Sequence, residues 1–538
     1  MTDAQVDFGS AGASGTDASG AGAAPAGLRG VNLARLERAR ENRTPPPPPG
    51  QQTGAKSAMH KLLLALVWLT VASGSFVFDE PAPIDILTGL LIVCLPAAGL
   101  LRITPSLLLL ACLWLMIAAA AFAASMSAPD IATSLSHTTI SIYLYCAAFL
   151  FAAFTARNPL AHTRLILNAY LFAAVVGAIA GLVGYFDLIA GAHQLLTKYG
   201  RASGTFKDPN VYGPFLIPAL LYAIHLTVNR PPLRAAPALL QSLIIGTAIM
   251  LSFSRGAWLA LALALSVWGY MSFVTVPSNR QRLKLIALAL AGLLLAANMV
   301  TAALQSDRVS QLYSVRASLH QSYDYGPDGR FAGHDKARAI ILETPFGFGA
   351  KTFTRHIHPE DVHNVYLSLF LSAGWLGGFL YVFIIALSAV YGLRHGFRRC
   401  PTQPLFLLIY AAFIGNIAQG LFIDSDHWRH FYLLLGMLWG LMAATGKAPA
   451  LSPPQQPPQP RPPRLYRRRR QQRRATLDGP AGPCRHARRR PPTGRRRRPG
   501  KHRQQRRRQQ QRRPVTQHRW RARRHRHASH RLIPMCKP

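Results

Sequence analysis

An all-α polytopic membrane protein is the fold class the sequence predicts, and three observations carry that expectation. Half of the 538 residues are apolar. Between about residues 61 and 446 they gather into runs of roughly 17–25, the length that takes a helix across a bilayer. Lys and Arg then concentrate in alternate connections between those runs. Finally, one connection, 303–363, is far longer than the rest and carries its own helical spacing.

The candidate spans are 61–78, 85–101, 104–123, 138–155, 165–189, 211–228, 236–253, 257–274, 285–302, 364–393, 403–421 and 431–446, about twelve, so that both termini share a side. One set of connections holds Arg102; Arg157 and Arg164; Arg230 and Arg234; Arg280, Arg282 and Lys284; and Arg394, Arg398 and Arg399. The intervening "DEPAPID" and "SMSAPDIATSLSH" hold neither Lys nor Arg. Positive charge stays on the cytoplasmic side during insertion. Residues 190–210, 254–256, 303–363 and 422–430 are therefore expected outside, in the periplasm, and both termini in the cytoplasm.

The flanks have a different composition. Residues 1–57 are Gly/Ala/Ser-rich, then basic, then "PPPPPG", which reads as a disordered cytoplasmic leader; no signal-peptide pattern precedes the first span. The formal charge of +40 comes largely from residues 447–538, a Pro/Arg-rich stretch read as disordered, with about half of all Lys and Arg and one acid, Asp478. Such a segment could attract anionic lipid or nucleic acid, but few aromatics accompany the charge, and no nucleic-acid partner is expected. Arg/Pro/Gln/His excess is also what a GC-rich gene yields out of frame, and no function is assigned to the tail. Six cysteines show no pairing or zinc spacing.

Cations on the outer side run against the insertion rule. "RASGTFKDPNVYGPF" puts Arg201 and Lys207 there, and "SFSRGAW" puts Arg255 at a tight outer turn. A lone outer Arg can snorkel to headgroups; three cation sites next to a long loop point to an anionic ligand. Within the loop, "DRVSQLYSVRASL" spaces Val309, Leu312 and Tyr313 as a helix, and "GHDKARAIILETP" spaces Ala337, Ile340 and Ile341 likewise, ending at Pro345. Arg330 stands before the second helix, and His363 stands at the mouth of the next span. His356, His358, Asp361 and His363 could be read as a metal site, but no cysteine or paired-carboxylate motif supports it, and no metal or cofactor is expected. His363 is either an inert interfacial histidine or an acid/base group with a pKa near neutrality.

"RASGTFKDPNVYGPFL", "SFSRGAWLALAL", "GR…ETPFGFGAKTF" and "HNVYLSLFLSAGWLGG" resemble, in this order, the O-antigen ligase/polymerase family of bacterial inner-membrane enzymes, over roughly residues 58–446. The resemblance implies a GT-C-like helical fold and metal-independent transfer of glycan from an undecaprenyl-diphosphate carrier at the periplasmic face. The acceptor would be lipid A–core in a ligase or another lipid-linked repeat in a polymerase. It also implies outer-surface arginines at Arg201, Arg255 and Arg330 and a loop-end histidine at His363. In that mechanism arginine forks hold the diphosphate, Lys207 adds charge, and His363 takes the acceptor proton. A sugar or lipid transporter is the competing class, but transporters place ionisable groups at the midplane and repeat their halves, neither of which is evident.

The charge asymmetry makes a direct prediction. A reporter active only in the periplasm should be on when fused after residue 320 and off when fused after residue 282; the opposite pattern reverses the orientation.

Overall fold

The computed structural model describes residues 54–305, 326–327 and 329–444. The leader up to residue 53, the "DRVSQLYSVRASL" segment and the tail from residue 445 lie outside the described residues.

Each expected span coincides with a helix. These are α1 (Gly54–Ala72), α2 (Pro83–Ala97), α3 (Pro105–Met126), α4 (Ile131–Arg157) and α5 (Pro159–Tyr185). A short helix α6 (Ala192–Leu196) and a hairpin of β1 (Thr197–Lys198) and β2 (Arg201–Ala202) follow. Then come α7 (Pro209–Asn229), α8 (Pro232–Leu251), α9 (Arg255–Thr275) and α10 (Asn279–Leu304). The long connection contributes α11 (Arg330–Glu343) and α12 (Thr352–His356), before α13 (Val365–Gly396), α14 (Gln403–Gln419) and α15 (Arg429–Ala444). Among the described residues, eight helices, α1, α3, α4, α5, α7, α8, α9 and α13, are long and apolar enough to cross a membrane, and α2 and α14 are shorter apolar helices. The first helix begins at Gly54, within the segment expected as leader.

The starts of these helices are written in the sequence. Proline occupies the first turn of α2, α3, α5, α7 and α8, where its missing N–H costs nothing. Side chains of Thr104, Asp130, Asp208, Ser254 and Asn364 accept from first-turn N–H groups of the helices that follow them. Away from bulk water such orphan donors need a protein partner.

Packing is closest where α15 meets α4. A Cβ on Gly436 would stand 2.5 Å from the Ala148 carbonyl oxygen, and one on Gly440 would stand 2.5 Å from that of Ala152. This small-xxx-small face lets the two backbones touch. Trp114 of α3 stacks on Tyr145 of α4 at 4.2 Å between centroids, with Tyr381 and Tyr432 tilted around it. The same approach of α15 to α4 sets the 420–428 connection against the start of α4.

Connections tie to one another at two separate ends. At the basic end, the Arg102 N–H donates to the Ala153 carbonyl at 2.9 Å, Gln281 donates to Asn229 at 3.1 Å and Lys284 to the Val228 carbonyl at 3.4 Å. At the other end, the Val77 N–H donates to the Thr205 carbonyl at 2.9 Å, and that of Val365 to the Gly420 carbonyl at 2.9 Å. There too Arg429 grips Asp85 with two bonds of 2.6 and 2.7 Å. The division by charge read from the sequence is therefore also a division by contact.

The long connection returns through a break in α13. Gly374 has φ 66° and ψ −171°, a conformation essentially reserved for glycine, inside an otherwise continuous helix. The backbone groups freed there are taken by the incoming chain: the Trp375 N–H donates to the Pro345 carbonyl at 2.8 Å, and the Phe348 N–H donates to that of Leu371 at 3.0 Å. A Cβ on Gly374 would lie 2.5 Å from the Phe346 carbonyl carbon, and one on Gly347 would lie 2.6 Å from the Gly374 nitrogen. Next to this seam, Ala337 of α11 packs with Phe353, Val362 and Leu371, with Ile340 and Ile341 against them, as their helical spacing predicts. Gly374→Ala should therefore cost at least about 1–3 kcal/mol in backbone conformation alone. It should lower the melting temperature in detergent more than Gly269→Ala, where a Cβ meets nothing within 4 Å.

Candidate active site

The five residues expected from the sequence lie on the connections of the less basic end, with unequal commitments. His363, two residues before α13, has φ 52°, an unusual conformation for a residue with a side chain. Its backbone N–H is fixed by the Asp424 carboxylate at 2.9 Å. Its Nε2 lies 3.5 Å from Glu360 Oε2. Burial, followed by the positive charge of Arg330, lowers its pKa below the ordinary imidazole value. At pH 7 the ring is neutral and able to accept a proton. The Glu360 carboxylate favours hydrogen on Nε2, leaving Nδ1 as the basic nitrogen.

Arg201 is only 4% exposed. The tight turn of the hairpin, Tyr199 and Gly200 both at positive φ, points it inward, where Nε donates to the Ser252 carbonyl at 2.7 Å and Nη2 to Asn210 Oδ1 at 2.8 Å. It thus fastens the 197–208 segment to the turn that carries Arg255, the first residue of α9. Lys207 is exposed and lines a cavity of about 700 Å³.

That cavity is built mainly from residues the sequence reading passed over. Besides Lys207 it is lined by His137, Lys351, Asp424, Asp426 and His427, together with Asp361, which the sequence offered only as a metal ligand. Asp361 instead holds Lys351 at 3.0 Å and accepts from Thr354. These partners keep its carboxyl low against burial, and keep Lys351 charged. Asp424 accepts from Ser368 Oγ at 2.5 Å as well as from His363. Burial, and then the neighbouring Asp426, pushes its pKa up to about 7. Asp426 stays ionised, held down against burial by His427, His137 and Lys351. Five carboxylates line this space (Glu80, Asp208, Asp361, Asp424 and Asp426) against the cations Lys207, Lys351 and Arg429. A second cleft of about 480 Å³, largely apolar, shares Glu80, Ile140, His427 and Arg429 with it and runs past Ile86, Gly89 and Leu144.

Among the described residues, the group able to hold a metal is His137, Asp426 and His427, whose ligand atoms all lie within 4.8 Å of one another. The H-x-H segment forms no such group there: His358 is buried against Phe353, and Asp361 is taken by Lys351.

Compared with known proteins, residues 240–382 match the sequence model of the O-antigen ligase family. That segment is similar to O-antigen ligases and supports the O-antigen ligase/polymerase family. No curated protein matches the chain. The matched segment spans a little over a quarter of the chain and contains Arg255, Arg330 and His363. Arg201, Lys207 and the last outer connection lie beyond it. The match in a chain with several apolar helices suggests ligase/polymerase-type glycan transfer in a membrane protein, a glycosyltransferase-like activity on lipid-linked glycans in general.

The overlooked residues had a signal. "FIDSDHWRHF" packs two aspartates, two histidines and an arginine into ten residues between two apolar helices, a density no membrane connection needs for insertion alone. His137, a single histidine at the end of the Ser/Thr-rich connection before the 138–155 span, had no comparable signal.

Asp424 gives the site a pH signature. Its native pKa, about 7, lies above the free value of 3.8, so the native state keeps a proton that the unfolded chain releases. The stabilisation is full below about pH 4 and is lost as pH rises through about 7. Thermal stability in detergent should fall between about pH 5 and pH 8, and Asp424→Asn should flatten that fall; an unchanged slope in the variant assigns it to other groups.

Proposed function

We propose that this protein transfers a glycan from an undecaprenyl-diphosphate carrier to a sugar hydroxyl of a membrane-bound acceptor on the outer face of the bacterial inner membrane, as a ligase. The carrying observation is His363: a neutral imidazole beside Arg330, oriented by Glu360 and fixed through its backbone to Asp424 on the wall of the polar cavity.

The acceptor hydroxyl gives its proton to Nδ1 of His363 as its oxygen bonds to the anomeric carbon. The bond from that carbon to the diphosphate oxygen breaks on the opposite side, its electron pair leaves with undecaprenyl diphosphate, and the centre inverts. Charge building on the leaving oxygen is met by Arg255 and Arg330, whose guanidinium forks suit phosphate and stay protonated. Arg201 adds its fixed charge from behind while holding the Arg255 turn in place. The carboxylate-rich cavity repels a diphosphate but offers acceptors to sugar hydroxyls, so it suits the glycan acceptor, with Lys207 at its rim. The apolar cleft that meets this cavity suits the lipid chain of a membrane-anchored acceptor, which supports a lipid-borne acceptor over a soluble one.

Turnover and donor affinity, measured side by side at equal folded amounts, test this reading. Arg330→Lys keeps the charge and loses the fork, so donor affinity should weaken. His363→Ala should leave donor affinity nearly intact and cut turnover by about 10²–10⁴-fold. His363→Gln, able to hold a hydroxyl but not to take its proton, should be as slow. Full turnover in the His363 variants removes the base from the scheme. Transfer by purified protein in detergent, with no gradient present, separates the enzyme from a transporter.

A further inference from the structure

We propose that His137, Asp426 and His427 form a divalent transition-metal site of the zinc class, which pins the last outer connection to the start of α4. The site is separate from the chemistry at His363, which needs no metal.

The donor set is the first argument. Two imidazoles and one carboxylate, from opposite sides of a helix–loop junction, bring their ligand atoms within 4.8 Å of one another, and His137 Nε2 is already 3.5 Å from Asp426 Oδ2. Tetrahedral zinc with bonds of about 2.0–2.1 Å needs ligand atoms about 3.3 Å apart, so the three have only a short distance to close. Two nitrogens and one oxygen suit zinc, cobalt or nickel, and suit magnesium poorly.

The surroundings are the second argument. The imidazole rings stack with centroids 3.9 Å apart and 25° between planes, so two of the ligands are already side by side and fan apart by about an ångström to share one ion. Ser141, one turn beyond His137, places its hydroxyl 3.2 Å from the His137 carbonyl and 2.9 Å from His427 Nε2. With its proton given to the carbonyl, Ser141 accepts the His427 Nε2–H and fixes that ring's tautomer, the support that metal-bound histidines ordinarily receive. Asp424 and Asp361 add negative charge around the site; of the cations near it, Lys351 is engaged by Asp361 and Arg429 by Asp85. All three ligands line the cavity of about 700 Å³, so a fourth position stays open to water or a glycan hydroxyl.

The arrangement also gives the metal a task. His137 belongs to α4, whereas Asp426 and His427 belong to the connection that also carries Asp424, the group fixing the His363 backbone. A metal across that junction locks the connection that holds the His363 backbone.

The test uses the full chain in detergent, freed of metal with EDTA and carrying no histidine tag. Zinc is added and bound metal is counted by mass spectrometry after gel filtration. Wild type should retain one zinc per chain more than His427→Gln or Asp426→Asn, whereas His356→Gln should match wild type. Comparison between variants removes zinc held by the other histidines of the chain. Zinc should raise the wild-type melting temperature by several degrees, and magnesium at equal concentration should not. Cobalt loaded into wild type gives a readout free of any variant: strong visible bands of a four- or five-coordinate ion are expected. Equal zinc retention in wild type and both ligand variants, or a weak six-coordinate cobalt spectrum, overturns the site. Neither readout depends on turnover, so this result and the transfer assay stand or fall separately.

Discussion

Within hydrocarbon every backbone polar group must find its partner inside the protein, and the break in α13 shows how much depends on that constraint. A helix can open at Gly374 only if another strand of chain supplies the missing bonds. Residues 345–348 supply them, through the Trp375 N–H and the Leu371 carbonyl. Backbone lies so close to backbone there that neither Gly347 nor Gly374 has room for a Cβ. The long connection is thereby anchored at one point of one helix, and Lys351, Asp361 and His363 follow within sixteen residues of that anchor. The positions of His363 and of one cavity wall both derive from this seam.

Asp424 is the second joint. One oxygen receives the His363 N–H and the other the Ser368 hydroxyl, so one carboxyl group joins the strained residue, the first turn of α13 and the last connection. Its neighbours separate charge by sign. Arginines gather on the connections leading into α9 and α11, while carboxylates gather around the cavity. In the transfer proposed above, a departing diphosphate and an activated hydroxyl would each need one of these two environments.

Much of this was legible in the sequence. Twelve of the fifteen helices described fall where apolar runs were expected, because span length and proline-led helix starts are local properties. Arg201, Lys207 and Arg255 stood out because they run against an insertion rule, and His363 because it ends the long connection just before a span. What escaped was set by distant contact. Nothing near His137 signals that α15 will bring Asp426 and His427 to it, since that depends on two glycines some 300 residues later touching the backbone of α4. Arg201 was recognised as unusual, but its engagement with Ser252 and Asn210 follows from the fold of the hairpin, and no pattern in "RASGTF" announces it. Membrane-crossing ability also differs from helix position: α2 and α14 are shorter than their apolar runs, ending beside Pro96 and at Gly420, where the backbone turns away.

The grip of Arg429 on Asp85 carries a consequence for biogenesis. The two residues stand 344 positions apart, and Glu80 lies 3.4 Å from the same guanidinium. During synthesis the α2 carboxylate enters the membrane long before its counterion has been translated. Until α15 arrives, Asp85 is a partly buried acid without its cation, an uncomfortable state for any chain halted early. The cavity likewise lacks Asp424, Asp426 and His427 until that moment. Completion of the cavity and pairing of Asp85 thus coincide at the last helix, so a chain lacking it would carry both an unfinished cavity and an unpaired acid.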